Sequence, residues 1–390
     1  MRHLRVPNRS VEEILVILRD RGWLAPGMRV LPDEDGEHRL LPLEPGAPVE
    51  MTEPLDVHQV VLHEGCLDKR VDSDWWNHLA QLVDKAELDR FEEDWPSSHE
   101  FISDMMVVRV EETLAKYAPQ IAKAKLLAHP HIRLILNDEG VQGELRIRSL
   151  TPIGARIGDE IVTEKIPESA KTTRVLVRES GRSIACDPNK AYFSTKLQSE
   201  RLETLSLAKE LRELLQRPIN VCDPFCGVGP ALATLLTEPD LVGNALASDL
   251  NPEAVRLLLD NLRRWDRREY PPSPSPISRV FEDRVVGIAN AIDLSEDQNL
   301  TGRWDLVLVN LPHRTIELLP RLVPLLDRTS PSMIRGRVVV PESEIGNASE
   351  QIMRSIPKTL HGYPEPSLIV KRDYSSSLRL CSFEAWISPE

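Results

Sequence analysis

The sequence contains no run of eighteen uninterrupted apolar residues, which argues against a helical membrane span. Its opening residues, MRHLRVPNRS, lack the apolar core of a secretory signal. Cysteine is scarce and odd in number: Cys66, Cys186, Cys222, Cys226 and Cys381 are scattered and suggest no disulfide framework. Reduced thiols fit a cytoplasmic protein. Cys222 and Cys226 have too few other ligands nearby for a metal site, so both read as small buried hydrophobes and no metal is expected. The net charge of −13 shows no overall basic excess, the usual footprint of a nucleic-acid binder. Lysine is the rarer base, with 12 Lys against 36 Arg. Arginine suits bidentate phosphate contacts, so a local arginine-rich face is compatible with an acidic whole.

A chain of 390 residues with 41% apolar content is long enough for two or three cores. Residues 1–45 read as a small unit. In SVEEILVILRDRGWL, Ser10 is the expected helix cap, Val11, Ile14, Leu15 and Leu18 follow at helical spacing, and Gly22 stops the run. RVLPDEDGEHRLLPL after it reads as a hairpin turning at Asp33–Gly36. Residues 46–95 read as linker and helix, and 96–190 as a middle α+β domain of successive strands around the helix LAKYAPQIAKAKLLAHP. Residues 191–218 are one or two helices leading in. From 219 onward strands and helices alternate, which predicts an α/β, doubly wound, mostly parallel sheet spanning 191–390 with its lead-in helices. No internal repeat is visible.

The chemistry concentrates in INVCDPFCGVGPALATLL, residues 219–236. In open parallel sheets a ligand sits beyond the carboxyl ends of the strands, where the first strand turns into its helix. Gly227 and Gly229 are expected to let a ligand approach the backbone, and Pro230 suits a first helical turn. Asp223 is an acceptor for a cationic ligand. The second strand ends at Asp249, placed to accept ribose hydroxyls, and Asn251 caps the next helix. The third glycine of the dinucleotide fingerprint is missing, so S-adenosylmethionine fits better than a nicotinamide cofactor. The fourth strand ends VLVNLPHRTIELL. Asn310 either grips the edge of a planar, nitrogen-rich substrate or caps the helix near Thr315; Pro312 extends the backbone before it.

DPFCGVGP, DLNPEAVRLLLDNL, VNLPHRTIELL, VQGELRIRSL, the segment VRESGRSIACDPNKAYFSTKLQSER and the N-terminal LRVPNRSVEEILVILRDRGWL occur in an order that resembles one family. It comprises the tRNA (guanine-N1)-methyltransferases of archaea and eukaryotes that act at position 37, together with the wybutosine aminocarboxypropyl transferases. The resemblance spans nearly the whole chain. It implies a class I, Rossmann-like methyltransferase domain preceded by an α+β domain and a small N-terminal domain that touches the outer corner of tRNA. It implies S-adenosylmethionine as cofactor, held by Asp223, Phe225, Gly227, Gly229, Asp249, Leu250, Asn251, Asn290, Asp293 and Asn310. The tRNA partner would be engaged at its anticodon stem-loop and outer corner by a monomer that needs no protein partner. It implies Glu200 as general base, Arg146 or Arg148 as the cation near guanine O6, and Asn310 with Pro312 framing the target base.

Asn310-Leu311-Pro312 is the methyltransferase form of its block; the aminocarboxypropyl transferases carry a glycine-containing variant. Two departures stand out. Thr195-Lys196 replaces the family's Pro-Arg, and Asn290, with Asp293 close behind, replaces an acid at the end of the third strand. The alternatives are therefore aminocarboxypropyl transfer, or a catalytically weakened tRNA-binding paralogue.

Overall fold

The computed structural model describes residues 1–25, 27–66, 74–143, 145 and 147–390. The chain divides into two compact units: residues 1–97, 110–135 and 152–170, and residues 98–109, 136–151 and 171–390. Among the described residues no helix is long and apolar enough to cross a membrane.

The first unit carries a four-stranded sheet in which Arg2–Pro7 pairs antiparallel with His38–Pro42 and with Gln59–Leu62. The sheet therefore runs past residue 45, where composition alone had put the boundary. The hairpin turns where expected, with the Gly36 amide donating to the Asp33 carbonyl over 3.1 Å. Helix Val11–Asp20 lays Ile14 and Leu18 on Leu4, Val6, Leu41 and Leu43. Ser10 is its N-cap residue but makes no side-chain cap. A second core gathers Leu79, Leu88, Trp95, Leu114 and Ile121.

The second unit is built on an eight-stranded sheet. Its elements are helix α1 (Gln198–Leu215), β1 (Ile219–Asp223), α2 (Pro230–Leu236), β2 (Val242–Asp249), α3 (Pro252–Asp266), β3 (Ser278–Phe281), β4 (Arg284–Ile288), α4 (Ala291–Leu294), β5 (Leu306–Val309), α5 (Thr315–Leu322), β6 (Ser332–Pro341), α6 (Ile345–Ser355), β7 (Ile369–Asp373) and β8 (Leu378–Ile387). Strand order is β3-β4-β2-β1-β5-β6-β8-β7. The five strands from β4 to β6 are parallel, and β3, β8 and β7 add antiparallel edges. β5 is buried on all four residues, as a parallel strand covered on both faces must be. Chain order reverses across β1 and β5, so their carboxyl ends form the crevice in which such sheets bind ligands.

Edge strand β3 was not foreseen: the loop YPPSPSP hides it, and it pairs only with β4. Helix α5 gives way to a 3₁₀ turn at Val323–Leu325, because Pro324 cannot donate into the helix.

β6 carries the tightest packing constraint near the crevice. A Cβ on Gly336 would lie 2.3 Å from the Phe383 ring of β8. Gly336→Ala should therefore destabilise the protein by about 1–3 kcal/mol, read as a lower midpoint in denaturant at unchanged slope.

Candidate functional site

β1 ends in Asp223, and the chain then turns through two glycines in the left-handed region, Gly227 at φ 55° and Gly229 at φ 85°. This loop is held from outside by β2. The Asp249 carboxylate accepts from the Gly227 amide and, through its other oxygen, from the Asn251 amide, both at 2.9 Å. One acid thus ties the loop after β1 to the loop after β2. Burial raises its pKa, and these backbone donors oppose the rise. The two glycines have different reasons. Gly227 has only ordinary contacts around a would-be Cβ, the nearest at 3.7 Å. At Gly229 a Cβ would stand 2.7 Å from Leu258 of α3, so that position serves helix packing rather than the ligand approach expected of it.

Asp223 is 3% exposed, and its Oδ1 has no hydrogen-bond partner among the described residues. Burial, reinforced by the charge of Asp249, pushes its pKa up to about 7, against the opposing pull of the Phe225 amide and Arg337. A buried acceptor without a donor is the mark of a place where a ligand supplies one.

A second corner forms at the end of β5. The β5–β6 register sets Val309 opposite Gly336, so Asn310 and Arg337 follow at the same level. Arg337 donates through Nη1 to Asn310 Oδ1 over 2.8 Å and through Nε to Glu200 Oε2 over 2.7 Å. Glu200 lies in the first turn of α1 and is 4% exposed. Asn310 does not cap α5, whose N-cap residue is Arg314, so the capping alternative falls. Its amide is oriented by Arg337 instead. The segment leading into α1 is fixed by Arg201, which donates to Glu179 over 2.5 Å and to the Ser194 carbonyl over 2.8 Å.

Both corners open on one cavity of about 640 Å³. Of the residues picked from sequence, Phe225, Gly227, Asp249, Leu250, Asn251, Asn290, Asn310 and Pro312 line it. Asp223 lies just beneath, and Glu200 reaches it through Arg337. Asn251 spends its side chain on structure: Oδ1 caps α3 through the Glu253 amide at 3.0 Å, and Nδ2 donates to the Lys190 carbonyl at 2.7 Å. Asn290 caps α4 through Oδ1. Asp293 is exposed and outside the lining, so it does not replace the acid that Asn290 displaces. Arg148 is also outside, clamped between Asp138 at 2.7 Å and Glu100 at 2.9 Å. Arg146 lies outside the described residues. Lys196 is exposed.

Sequence reasoning missed Arg337 and Arg201. For Arg337 a signal existed: SMIRGRVVVP is a buried strand interrupted by two arginines two residues apart, and a charge on such a strand needs a partner.

No family model matches the chain. The tRNA (guanine(37)-N(1))-methyltransferase Trm5b of Pyrococcus abyssi is 27% identical over 249 residues, 63% of this chain and 61% of that protein. The curated relatives are matched over 20% to 66% of their own lengths. The crystal structure of Trm5b from Pyrococcus abyssi superposes with a TM-score of 0.62 at 21% identity, covering 99% of both chains. A complex of aTrm5 with tRNALeu gives 0.65 at 16% identity, again over 99% of both. At these identities the structures establish the shared Rossmann-like fold.

The orphaned acid makes a pH prediction. An acid whose pKa rises from 3.8 to about 7 on folding holds more protons in the native state between those values. Its contribution to stability is therefore full at low pH and lost as pH climbs through that window, by up to about 4 kcal/mol. Asp223→Asn should flatten this decline, and thermal melts from pH 5 to pH 8 should show the variant gaining on the wild type at the upper end.

Proposed function

Starting from the chain's membership of the tRNA (guanine-37, N1)-methyltransferase family, we propose that it transfers a methyl group from S-adenosylmethionine to N1 of guanosine 37 in tRNA. The observation that carries this reading is a buried carboxylate, Glu200, bridged by Arg337 to the Asn310-Leu311-Pro312 corner on the same cavity as the Gly227 loop. The curated relatives bear the name of this activity, and aTrm5 has been seen with tRNA.

The residues present fit the donor. Asp223 offers an unpaired buried acceptor to a cation, and Asp249, at the end of β2, stands where ribose hydroxyls bind in such sheets. Leu250, 43% exposed, and Phe225 give the cavity apolar surface for a purine ring. Bound there, S-adenosylmethionine supplies an electrophilic methyl group on a sulfonium.

Guanine N1 carries a proton and is a poor nucleophile until that proton leaves. Glu200 takes it as N1 bonds to the methyl carbon, whose bond to sulfur breaks with its electron pair left on sulfur. The Glu200 Oε2 atom is engaged by Arg337, while Oε1 has no hydrogen-bond partner among the described residues and is the atom assigned to receive the proton. Asn310 and Pro312 frame the base, which leaves its stack at a cost of a few kcal/mol. The Asn-Leu-Pro corner favours methyl over aminocarboxypropyl transfer.

Incubation with labelled S-adenosylmethionine and a guanosine-37 transcript, followed by nucleoside mass analysis, should show a gain of one methyl; the larger aminocarboxypropyl adduct, or no product, would refute the reading. Glu200→Gln should cut the single-turnover rate on the order of 10²–10⁴-fold. Asp249→Ala should weaken donor binding in calorimetry.

A further inference from the structure

The mouth of the cavity is edged by an aromatic pair drawn from two separate elements. His313 follows Pro312 directly, Tyr374 stands at the tip of the β7–β8 hairpin, and both line the cavity. We infer that this pair is a stacking platform for a nucleobase next to the everted guanosine, at position 36 or 38, and replaces the stacking partner that guanosine 37 takes away when it leaves the loop. The inference rests on the functional reading above and deepens it.

The two rings brace each other. His313 Nε2 and the Tyr374 hydroxyl are hydrogen-bonded at 3.0 Å, and the rings meet edge to face, with centroids 5.2 Å apart and planes at 76°. This contact is favourable in itself and fixes the orientation of both rings. Tyr374 is nevertheless 44% exposed. Its backbone is held as well: the Tyr374 amide donates to the Leu378 carbonyl over 2.9 Å, and the Ser375 amide donates to the same carbonyl over 3.2 Å. Ser375, Ser376 and Ser377 bring little bulk to the turn. An exposed ring that is already ordered has little conformational entropy left to lose on binding. Tyr192, also exposed on the lining, has no such ring partner among the described residues.

The rim also suits the phosphate of a nucleotide. Among the described lining residues four are arginines and one is a carboxylate, Asp249. Arg201, Arg314 and Arg337 sit against Glu179, Glu317 and Glu200. Arg372 lines the cavity and makes no side-chain hydrogen bond among the described residues. A register shift between Val370 and Arg372 breaks the alternation of β7. Lys371 is thereby given to Glu203 at 2.6 Å, while Arg372 and Tyr374 both face the cavity. A base on an aromatic face beside a cation for its backbone is how single-stranded nucleic acid is held.

Eversion creates the need for such a platform. Each neighbour of guanosine 37 loses one stacking contact when that base swings out. An aromatic side chain restores it, with an effect on the order of tenfold per base. Every base has a π face, so the platform is indifferent to which base stands there and sensitive to its absence. Two other roles are open to Tyr374: stacking on the everted guanine itself, or tying the hairpin to the loop after β5. Neither depends on the flanking bases.

The test removes the flanking bases one at a time. Single-turnover rates at subsaturating tRNA, and tRNA affinities by fluorescence anisotropy, are measured for wild type, Tyr374→Ala and Tyr374→Phe, with thermal melting of each protein. The transcripts are intact, abasic at position 36, or abasic at position 38. On intact tRNA, Tyr374→Ala should lose on the order of tenfold against wild type, whereas Tyr374→Phe, which keeps the ring face, should stay close to it. The gap between wild type and Tyr374→Ala should close on the transcript that lacks the stacked base and persist on the other; closure on both places a neighbour on each ring. A gap that persists on both abasic transcripts overturns the platform. So does a folded Tyr374→Ala protein with no loss on intact tRNA, or a Tyr374→Phe protein that loses as much as Tyr374→Ala. If Tyr374→Ala does not fold, Tyr374→Leu, which keeps bulk without a π face, is read on the same transcripts. A wild-type protein that makes no methylguanosine on intact tRNA refutes the functional reading itself, an outcome distinct from an active enzyme whose gap is the same on all three transcripts.

Discussion

One guanidinium joins three parts of the larger unit that are far apart in sequence. Arg337 on β6 binds Glu200 on α1 and Asn310 at the end of β5, residues separated by 137 and 27 positions. Neither partner would be set without it. A glutamate in the first turn of a helix has several rotamers open to it, and an asparagine after a strand has two amide orientations. The bond from Nη1 decides the second and the bond from Nε restricts the first. Burying this charge costs little net energy because both acceptors are in place, and removing one would leave the rest unpaired at a cost of several kcal/mol.

The same economy runs through the unit. Arg148, Arg201, Arg284 and Arg335 are each mostly buried and each sits against a carboxylate. The arginine excess that composition suggested for phosphate contacts is therefore partly an interior feature. It fastens elements of an acidic chain to one another. Arginine suits this better than lysine because one planar fork can hold two partners at fixed angles.

This explains which features were legible in the sequence. The parallel sheet was readable because its strands are apolar runs between helical periods, and β1, β2 and β5 sit where those runs predicted. The loop after β1 was readable because positive φ demands glycine. Short β3 was not, since a four-residue edge strand with no buried residue and no in-out alternation, preceded by prolines, has no periodic signature. Asn251 read as a cap and is one. Asn310 was ambiguous because its role depends on a partner 27 residues later that no local pattern announces. Gly229 was assigned the wrong reason, since ligand approach and helix approach look alike until Leu258 is in place. Arg148 and Arg337 show the same limit: both are strand arginines, and only tertiary neighbours distinguish a closed clamp from an open fork.

The cavity's charge layout follows from these placements. At the end formed by β1 and β2, Asp223 and Asp249 are buried with backbone amides as their main donors, and both pKa values are raised. Arg337 acts on Asp223 only through space, and among the described residues no basic side chain hydrogen-bonds either acid, so a cationic ligand gains from entering that end. At the end formed by α1 and β6, Glu200 already has its counter-charge in Arg337, and the pair as a whole is neutral. That end offers a compensated ion pair rather than a lone charge, which suits a neutral heterocycle better than an ion. Asn310, bonded to Arg337 and lying at the end of the strand beside β1, stands at the boundary. A cationic donor and a neutral acceptor base would thus be sorted to opposite ends of one cavity by desolvation and charge compensation alone, meeting at the amide between them.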